Sequence, residues 1–119
     1  MLFRSEEHYK PFQNWIPTEF KPGLDKKHAD RHGKEFGIYD TESYVNRARE
    51  FLSDKDLTFS QDVFVSPKNG DRYKIDFASG ELAVGRRTGI IRTYYIPWRM
   101  VPEGAGRVEY LINYWRNLE

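Results

Sequence analysis

The sequence contains no cysteine, which excludes disulfide bridges, thiolate zinc sites and a cysteine nucleophile. No run of about 18 consecutive apolar residues occurs, so no membrane anchor is predicted, and the first residues lack an apolar stretch of signal-peptide length. Net charge is also low, because 19 Lys and Arg residues stand against 18 Asp and Glu. This balance argues against a uniformly basic nucleic-acid binder, and we expect the protein to act in the cytoplasm.

The residues that are present suffice for one domain. A chain of 119 residues, of which 16% are aromatic, can build a single hydrophobic core from Phe, Tyr and Trp. We therefore predict one domain over residues 1–119. It consists of an irregular N-terminal arm at 1–23, a core at 24–97, and a loop with a C-terminal helix at 98–119.

Positive charge is concentrated in two segments. Residues 21–37 hold five Lys or Arg against three Asp or Glu, and residues 68–99 hold seven against three. A polyanion would be attracted to these segments rather than to the whole surface, which favours a localised phosphate site. Chance clustering of charge is the alternative explanation.

Residue spacing predicts three helices in the first half of the chain. The expected helices are Ser5 to Phe12, Leu24 to His32 and, with Thr41 as its N-cap, an amphipathic helix that reaches Leu52. Three prolines make the rest of the arm irregular. The second helix is expected to end at a glycine, either Gly33 or Gly37.

Four short runs rich in β-branched and aromatic residues follow, with turn-forming segments between them. The runs are Val63–Val65, Tyr73–Phe77, Leu82–Val84 and Ile90–Ile96. Connections this short join only antiparallel neighbours, so they predict a four-stranded meander. After a loop over Pro97 to Gly106, helical spacing predicts a C-terminal helix over Arg107 to Leu118. The predicted fold class is α+β, with the N-terminal helices packed on one face of the antiparallel sheet and the C-terminal helix closing the fold.

Alternation along the second predicted strand assigns its side chains to two faces. Tyr73, Ile75 and Phe77 are expected to point into the core, and Lys74 and Asp76 to lie on the other face.

Two of the three histidines, His28 and His32, lie one helical turn apart, so both imidazoles can project from one helix face. This spacing also occurs in metal sites, but zincins place a glutamate directly after the first histidine, where this chain has Ala29, and no third ligand is evident. The spacing alone fits a metal site, a catalytic histidine or two surface histidines of a charged helix.

Several segments resemble the colicin D-type ribonuclease toxins of bacterial competition systems. Residues 25–41, Asp-Lys-Lys-His-Ala-Asp-Arg-His-Gly-Lys-Glu-Phe-Gly-Ile-Tyr-Asp-Thr, are similar to the family's basic helix, which ends in a catalytic His followed by a small residue and Phe-Gly. Residues 71–73 (Asp-Arg-Tyr), 80–84 (Gly-Glu-Leu-Ala-Val) and 89–95 (Gly-Ile-Ile-Arg-Thr-Tyr-Tyr) are similar to its closing hairpins. The resemblance spans residues 24–97. It implies a fold of the barnase and RelE type, with helices followed by an antiparallel sheet.

The resemblance also implies a site and a partner. His32 matches the catalytic histidine, and Arg92, Thr93 and Tyr95 match a basic, a hydroxyl and an aromatic position of the active site. The residues expected to bind the substrate are Lys26, Lys27, His28, Arg31 and Arg72. The implied substrate is RNA, in particular the anticodon region of transfer RNA, with no metal or other cofactor. An acidic immunity protein is the implied inhibitor.

The chain departs from the family in two respects. It is less basic than colicin D, and Ala29 falls where the family has a second lysine on the helix. We expect Lys26, Lys27 or His28 to take the place of that lysine.

These residue types suit RNA cleavage by the sugar's own 2′-hydroxyl. This reaction needs a base for the 2′ proton, a cation or donors for the phosphate oxygens, and an acid for the leaving oxygen. Histidine can carry the proton, Arg92 offers a charged fork and Thr93 a neutral donor. Strict alternation places Arg92 and Tyr94 on one face of the strand and Thr93 and Tyr95 on the other. Arg92 can then reach the same phosphate as Thr93 and Tyr95 only if the strand twists or ends nearby. A non-catalytic RNA- or protein-binding module and a metal-dependent phosphodiesterase are the alternatives.

Overall fold

The structure, a computed structural model, describes residues 6–101 and 106–118. Within these residues the α-helices are α1 (Glu6–Gln13), α2 (Leu24–His32), α3 (Thr41–Ser53) and α4 (Arg107–Arg116). Two short 3-10 helices lie at Gly33–Phe36 and Pro97–Met100. The strands are β1 (Gln61–Val65), β2 (Arg72–Asp76), β3 (Leu82–Gly85) and β4 (Ile91–Tyr95). Ser5 of the first predicted helix and residues 102–105 of the predicted loop lie outside the described residues.

The four strands form one sheet in the order β1-β2-β3-β4, and every neighbouring pair is antiparallel. Each connection is a short turn closed by backbone hydrogen bonds, as in the bond from the Arg86 N–H to the Ile90 carbonyl at 2.7 Å. Such turns cannot carry the chain across the sheet, so a meander results. The predicted α+β fold class, with its N-terminal and C-terminal helices, is confirmed.

Both faces of the sheet are covered, which differs from the expectation of a single inward face. On one face the N-terminal arm, α1 and α3 build an aromatic core with the sheet. Its largest buried members are Phe12, Trp15, Phe20, Tyr44, Leu52 and Tyr94. On the other face α4 covers Phe64, Ile75, Phe77 and Leu82 with Leu111 and Trp115. The tryptophan is fixed there because its indole N–H donates to the buried Asp62 carboxylate at 3.0 Å.

Lys74 is a charged residue buried on the sheet face opposite α4. Tyr73, Ile75 and Phe77 do face a core, the one under α4, but Lys74 on the opposite face is fully buried as well. Its Nζ donates to the carbonyls of Phe51 at 2.7 Å and Asp54 at 2.8 Å. These carbonyls lie at the C-terminal end of α3, where helix carbonyls have no intrahelical partner. The lysine therefore caps a helix inside the protein.

The N-cap of α3 is one residue earlier than predicted. Asp40, not Thr41, is the capping residue, and its carboxylate accepts the N–H of Ser43 at 2.9 Å. Both residue types are good N-caps, so composition alone does not choose between two adjacent ones.

The N-terminal arm covers the outer edge of β4. The Ile91 N–H donates to the Glu19 carbonyl at 2.9 Å, and the Thr18 N–H donates to the Gly89 carbonyl at 2.8 Å. Phe20 and Ile91 form a short parallel bridge. Between α1 and α2 the arm has no helix or strand of its own beyond this bridge, and it brings Lys21 beside the last strand. No helix within the described residues is long and apolar enough to cross a membrane.

We expect the free energy of unfolding to increase as the pH is raised into the alkaline range, and this increase to depend on Lys55. Burial, with the positive charges of Lys74 and Arg72 nearby, lowers the pKa of Lys55 to about 8, and its Nζ lies 4.1 Å from the centre of the Phe12 ring. An unfolded lysine titrates near pH 10.4, so between these values the unfolded chain binds more protons and stability rises with pH. Urea unfolding at pH 7 to 10.5 should show wild type gaining free energy of unfolding relative to Lys55→Met across this window. Lys68→Met, at an exposed lysine, controls for the loss of a charge. A wild-type-minus-variant difference that is constant or falls would contradict the assignment.

Candidate active site

A cavity of about 500 Å³ opens where α2, the arm and the last strands meet. Its polar and aromatic lining residues are Lys21, His28, Tyr73, Arg86, Arg92, Thr93 and Tyr95. None of the described residues that line it is acidic. A concave site with cations and without carboxylates attracts an anionic ligand. The cavity therefore contains four of the sequence-predicted site residues, His28, Arg92, Thr93 and Tyr95.

A β-bulge brings Arg92 to the same cavity as Thr93 and Tyr95. Val84 pairs with Thr93, but Gly85 pairs with Ile91, so Arg92 is an extra residue in β4. A bulge interrupts the alternation of side chains and re-aims the extra one. The strict alternation expected from the sequence is wrong here, although Tyr94 does face the opposite core, where it is fully buried.

Asp71 orients the Arg92 side chain. The two side chains form an ion pair in which the Arg92 guanidinium donates to the Asp71 carboxylate. The carboxylate is 6% exposed and the arginine 45% exposed, so the anion is buried and the cation still reaches solvent. This hydrogen bond involves one nitrogen of the guanidinium, whose planar fork of five N–H donors suits a phosphate.

His28 is the imidazole that faces the cavity. Its ring lies between the rings of Phe20, at 5.3 Å, and His32, at 6.1 Å between centroids. Burial, with the charges of His32 and Arg31 second and third, lowers the pKa of His28 below its usual 6.5. Its Nδ1 is buried and has no hydrogen-bond partner among the described residues. His28 is therefore a neutral proton acceptor near pH 7.

His32 lies directly behind this wall of the cavity. It is only 6% exposed, and its ring is 5.4 Å from the ring of Tyr95. Its Nδ1 is 2.8 Å from Oε2 of Glu35. The other oxygen of that carboxylate accepts the backbone N–H of Ile96, also at 2.8 Å. Sequence reasoning missed Glu35. The signal that could have found it is a carboxylate three residues after the histidine, within one turn.

The local sequence explains how Glu35 folds back onto His32. α2 ends at His32, and the chain continues as a 3-10 helix from Gly33 to Phe36. A side chain at Gly33 would meet the Ile38 carbonyl at 2.5 Å, so only glycine fits this tight turn. Gly37 then ends the segment with a left-handed backbone, φ +70°. Both glycines named as helix ends in the sequence are thus used, one after the other.

The other predicted substrate-binding residues are not in the cavity. Lys26, Lys27 and Arg31 are exposed on α2. Arg72 lies on the opposite face of the sheet from Tyr73, where its guanidinium donates to the Gly70 carbonyl and burial lowers its pKa. The structure therefore does not bring Arg72 together with His28, Arg92 and Thr93.

The described residues contain no group of three or more His, Asp or Glu side chains arranged to hold a metal ion. Comparison with protein-family models and with curated proteins gives no match to this sequence. The resemblance to colicin D-type ribonucleases stays a prediction that depends on the motifs quoted above.

Gly33→Ala should destabilise the protein. The added methyl group would overlap the Ile38 carbonyl, and overpacking of this kind typically costs about 1–3 kcal/mol. Urea unfolding measures the effect, with Lys34→Ala, at an exposed position of the same 3-10 helix, as the control. Equal free energies of unfolding for Gly33→Ala and wild type would show that the turn tolerates a side chain.

Proposed function

We propose that this chain is an endoribonuclease toxin of the colicin D type, which cleaves RNA in the cavity without a metal ion. The observation that carries the proposal is the set of groups at one cavity wall. His28, Arg92, Thr93 and Tyr95 line it, and His32 is in ring contact with both His28 and Tyr95. Two adjacent imidazoles thus lie close to the donors that would bind a phosphate, which supports the proposal.

The reaction assigns a role to each group. His32 removes the proton from the 2′-hydroxyl, whose oxygen attacks the adjacent phosphorus. Arg92 and the Thr93 hydroxyl donate to the non-bridging oxygens, where negative charge increases. The bond to the 5′-oxygen breaks, and this oxygen takes a proton from water. The products are a 2′,3′-cyclic phosphate and a 5′-hydroxyl, and acid–base assistance contributes about 10² to 10⁴ in rate.

The substrate we propose is transfer RNA, cleaved in the anticodon region as in the family that the sequence resembles. The cavity suits an unpaired nucleotide, since Tyr73 and Tyr95 offer aromatic surface for a base. The exposed Lys26, Lys27 and Arg31 of α2 would contact flanking phosphates, which position RNA without reading its sequence.

A toxin of this kind acts in the cytoplasm of its target cell and needs a protein inhibitor in the cell that makes it. An acidic immunity protein fits the cations at the cavity, Lys21, Arg86 and Arg92, because charge complementarity speeds and directs association.

A second candidate function is a non-catalytic module that binds RNA or protein on the same scaffold. Two observations favour it. His32 is almost fully buried, and Arg92 already has a carboxylate partner in Asp71. A scaffold that has lost catalysis would keep both contacts for stability.

Incubation of the purified protein with transfer RNA in excess EDTA distinguishes these candidates. We expect fragments that end in a 2′,3′-cyclic phosphate, and a loss of at least about 10² in rate for His32→Ala, because the proton carrier is removed. His8→Gln is the matched control, because His8 does not line the cavity. Its Nδ1 accepts a hydrogen bond from the Val65 N–H at 3.0 Å. Thermal melting of each variant separates loss of fold from loss of activity.

Three outcomes would contradict the proposal of a metal-independent ribonuclease that uses His32. RNA that stays intact but binds the wild type supports the module. Cleavage that EDTA abolishes indicates a metal-dependent enzyme. Cleavage by folded His32→Ala at the wild-type rate removes His32 from the reaction.

A further inference from the structure

From the geometry we infer that Glu35 is a positioning residue for His32. Its carboxylate accepts the hydrogen bond from Nδ1, and in a neutral ring this bond selects the tautomer that carries the proton on Nδ1 and leaves the lone pair on Nε2. The role of that lone pair in accepting the 2′ proton rests on the proposed function, whereas the tautomer itself does not.

The hydrogen bonds of Glu35 support this assignment. Oε2 lies 2.8 Å from His32 Nδ1, and Oε1 accepts the Ile96 N–H at 2.8 Å. Both side chains of the pair are more than nine-tenths buried. An ionised carboxylate can only accept hydrogen bonds, so the proton between the two residues belongs to the imidazole. In a neutral ring the other nitrogen is then a proton acceptor.

The same carboxylate fixes the ring in space. Ile96 follows the last residue of β4, next to Tyr95, and it is 61 residues away from Glu35 in sequence. The bond to its N–H ties the 3-10 segment after α2 to the end of β4. His32 is therefore held against the strand that supplies Arg92, Thr93 and Tyr95 to the cavity.

Glu35→Gln separates positioning from a purely structural role. Glutamine has the same shape, and its amide oxygen can still accept the Ile96 N–H. Its NH₂ group then faces His32 and can only donate, so Nδ1 must become the acceptor. The proton moves to Nε2, and the ring loses the lone pair that would accept the 2′ proton. A structural bridge would survive this change, but the tautomer would not.

Long-range ¹H–¹⁵N correlation spectra of the labelled full chain at pH 8 report the tautomer directly. We expect His32 with the proton on Nδ1 in wild type and on Nε2 in Glu35→Gln, at similar melting temperatures. Cleavage of transfer RNA should fall by about 10² to 10⁴ in kcat with little change in KM, as for an imidazole in the wrong tautomer. Glu42→Gln, at an exposed carboxylate on α3, is the matched control and should behave as wild type.

The outcomes separate this inference from the proposed function. The inference is overturned if His32 of the wild type carries its proton on Nε2, or if wild type and Glu35→Gln show the same tautomer. Neither outcome depends on a measurement of activity. A tautomer that switches while cleavage by Glu35→Gln equals wild type overturns the positioning role. A tautomer that switches in a protein that never cleaves RNA overturns the proposed ribonuclease, and the tautomer assignment stands.

Discussion

The contact on which the rest of the site depends is the Glu35 carboxylate between His32 and the backbone N–H of Ile96. α2 and β4 come from distant parts of the chain, and this side chain joins them at the point where the imidazole meets the strand. Because the side chains of His32 and Glu35 are both buried, water competes weakly for their hydrogen bonds. The bridge therefore adds a polar link to the ring contact between His32 and Tyr95.

The sheet supplies the phosphate-binding groups of the site, and it does so through the β-bulge at Arg92. An unbulged β4 would direct Arg92 into the aromatic core beside Tyr94, where an unpaired guanidinium could not be accommodated. In the bulge, Arg92 is the extra residue opposite Val84 and Gly85. Its side chain is therefore directed to the cavity beside Thr93, where it pairs with Asp71. Both faces of the sheet are covered, and α4 contacts this strand through the hydrogen bond between the hydroxyls of Tyr95 and Tyr114.

The sequence allowed much of this to be anticipated, and the failures have physical causes. Turn-separated β-rich runs and helical spacing predicted the meander and its helices, and the family motifs predicted that His32 would lie near Thr93 and Tyr95. Period-two alternation could not foresee the bulge at Arg92 or the cap that Lys74 forms inside the protein, because both depend on partners distant in sequence. Arg72 was grouped with the site by its motif alone, and Glu35 was missed because its bond to Ile96 spans 61 residues.

The most direct test of the account is a crystal structure of the protein with an RNA dinucleotide whose attacking 2′-hydroxyl is replaced by hydrogen, so that it cannot be cleaved. A second cavity of about 440 Å³, lined by His8, Ser66 and Lys68 among others, provides an internal comparison. The account predicts the bridging phosphate within hydrogen-bond distance of Arg92 and Thr93, with the ribose at the His28 and His32 wall. A dinucleotide bound at the second cavity, or with its phosphate away from Arg92 and Thr93, would contradict it.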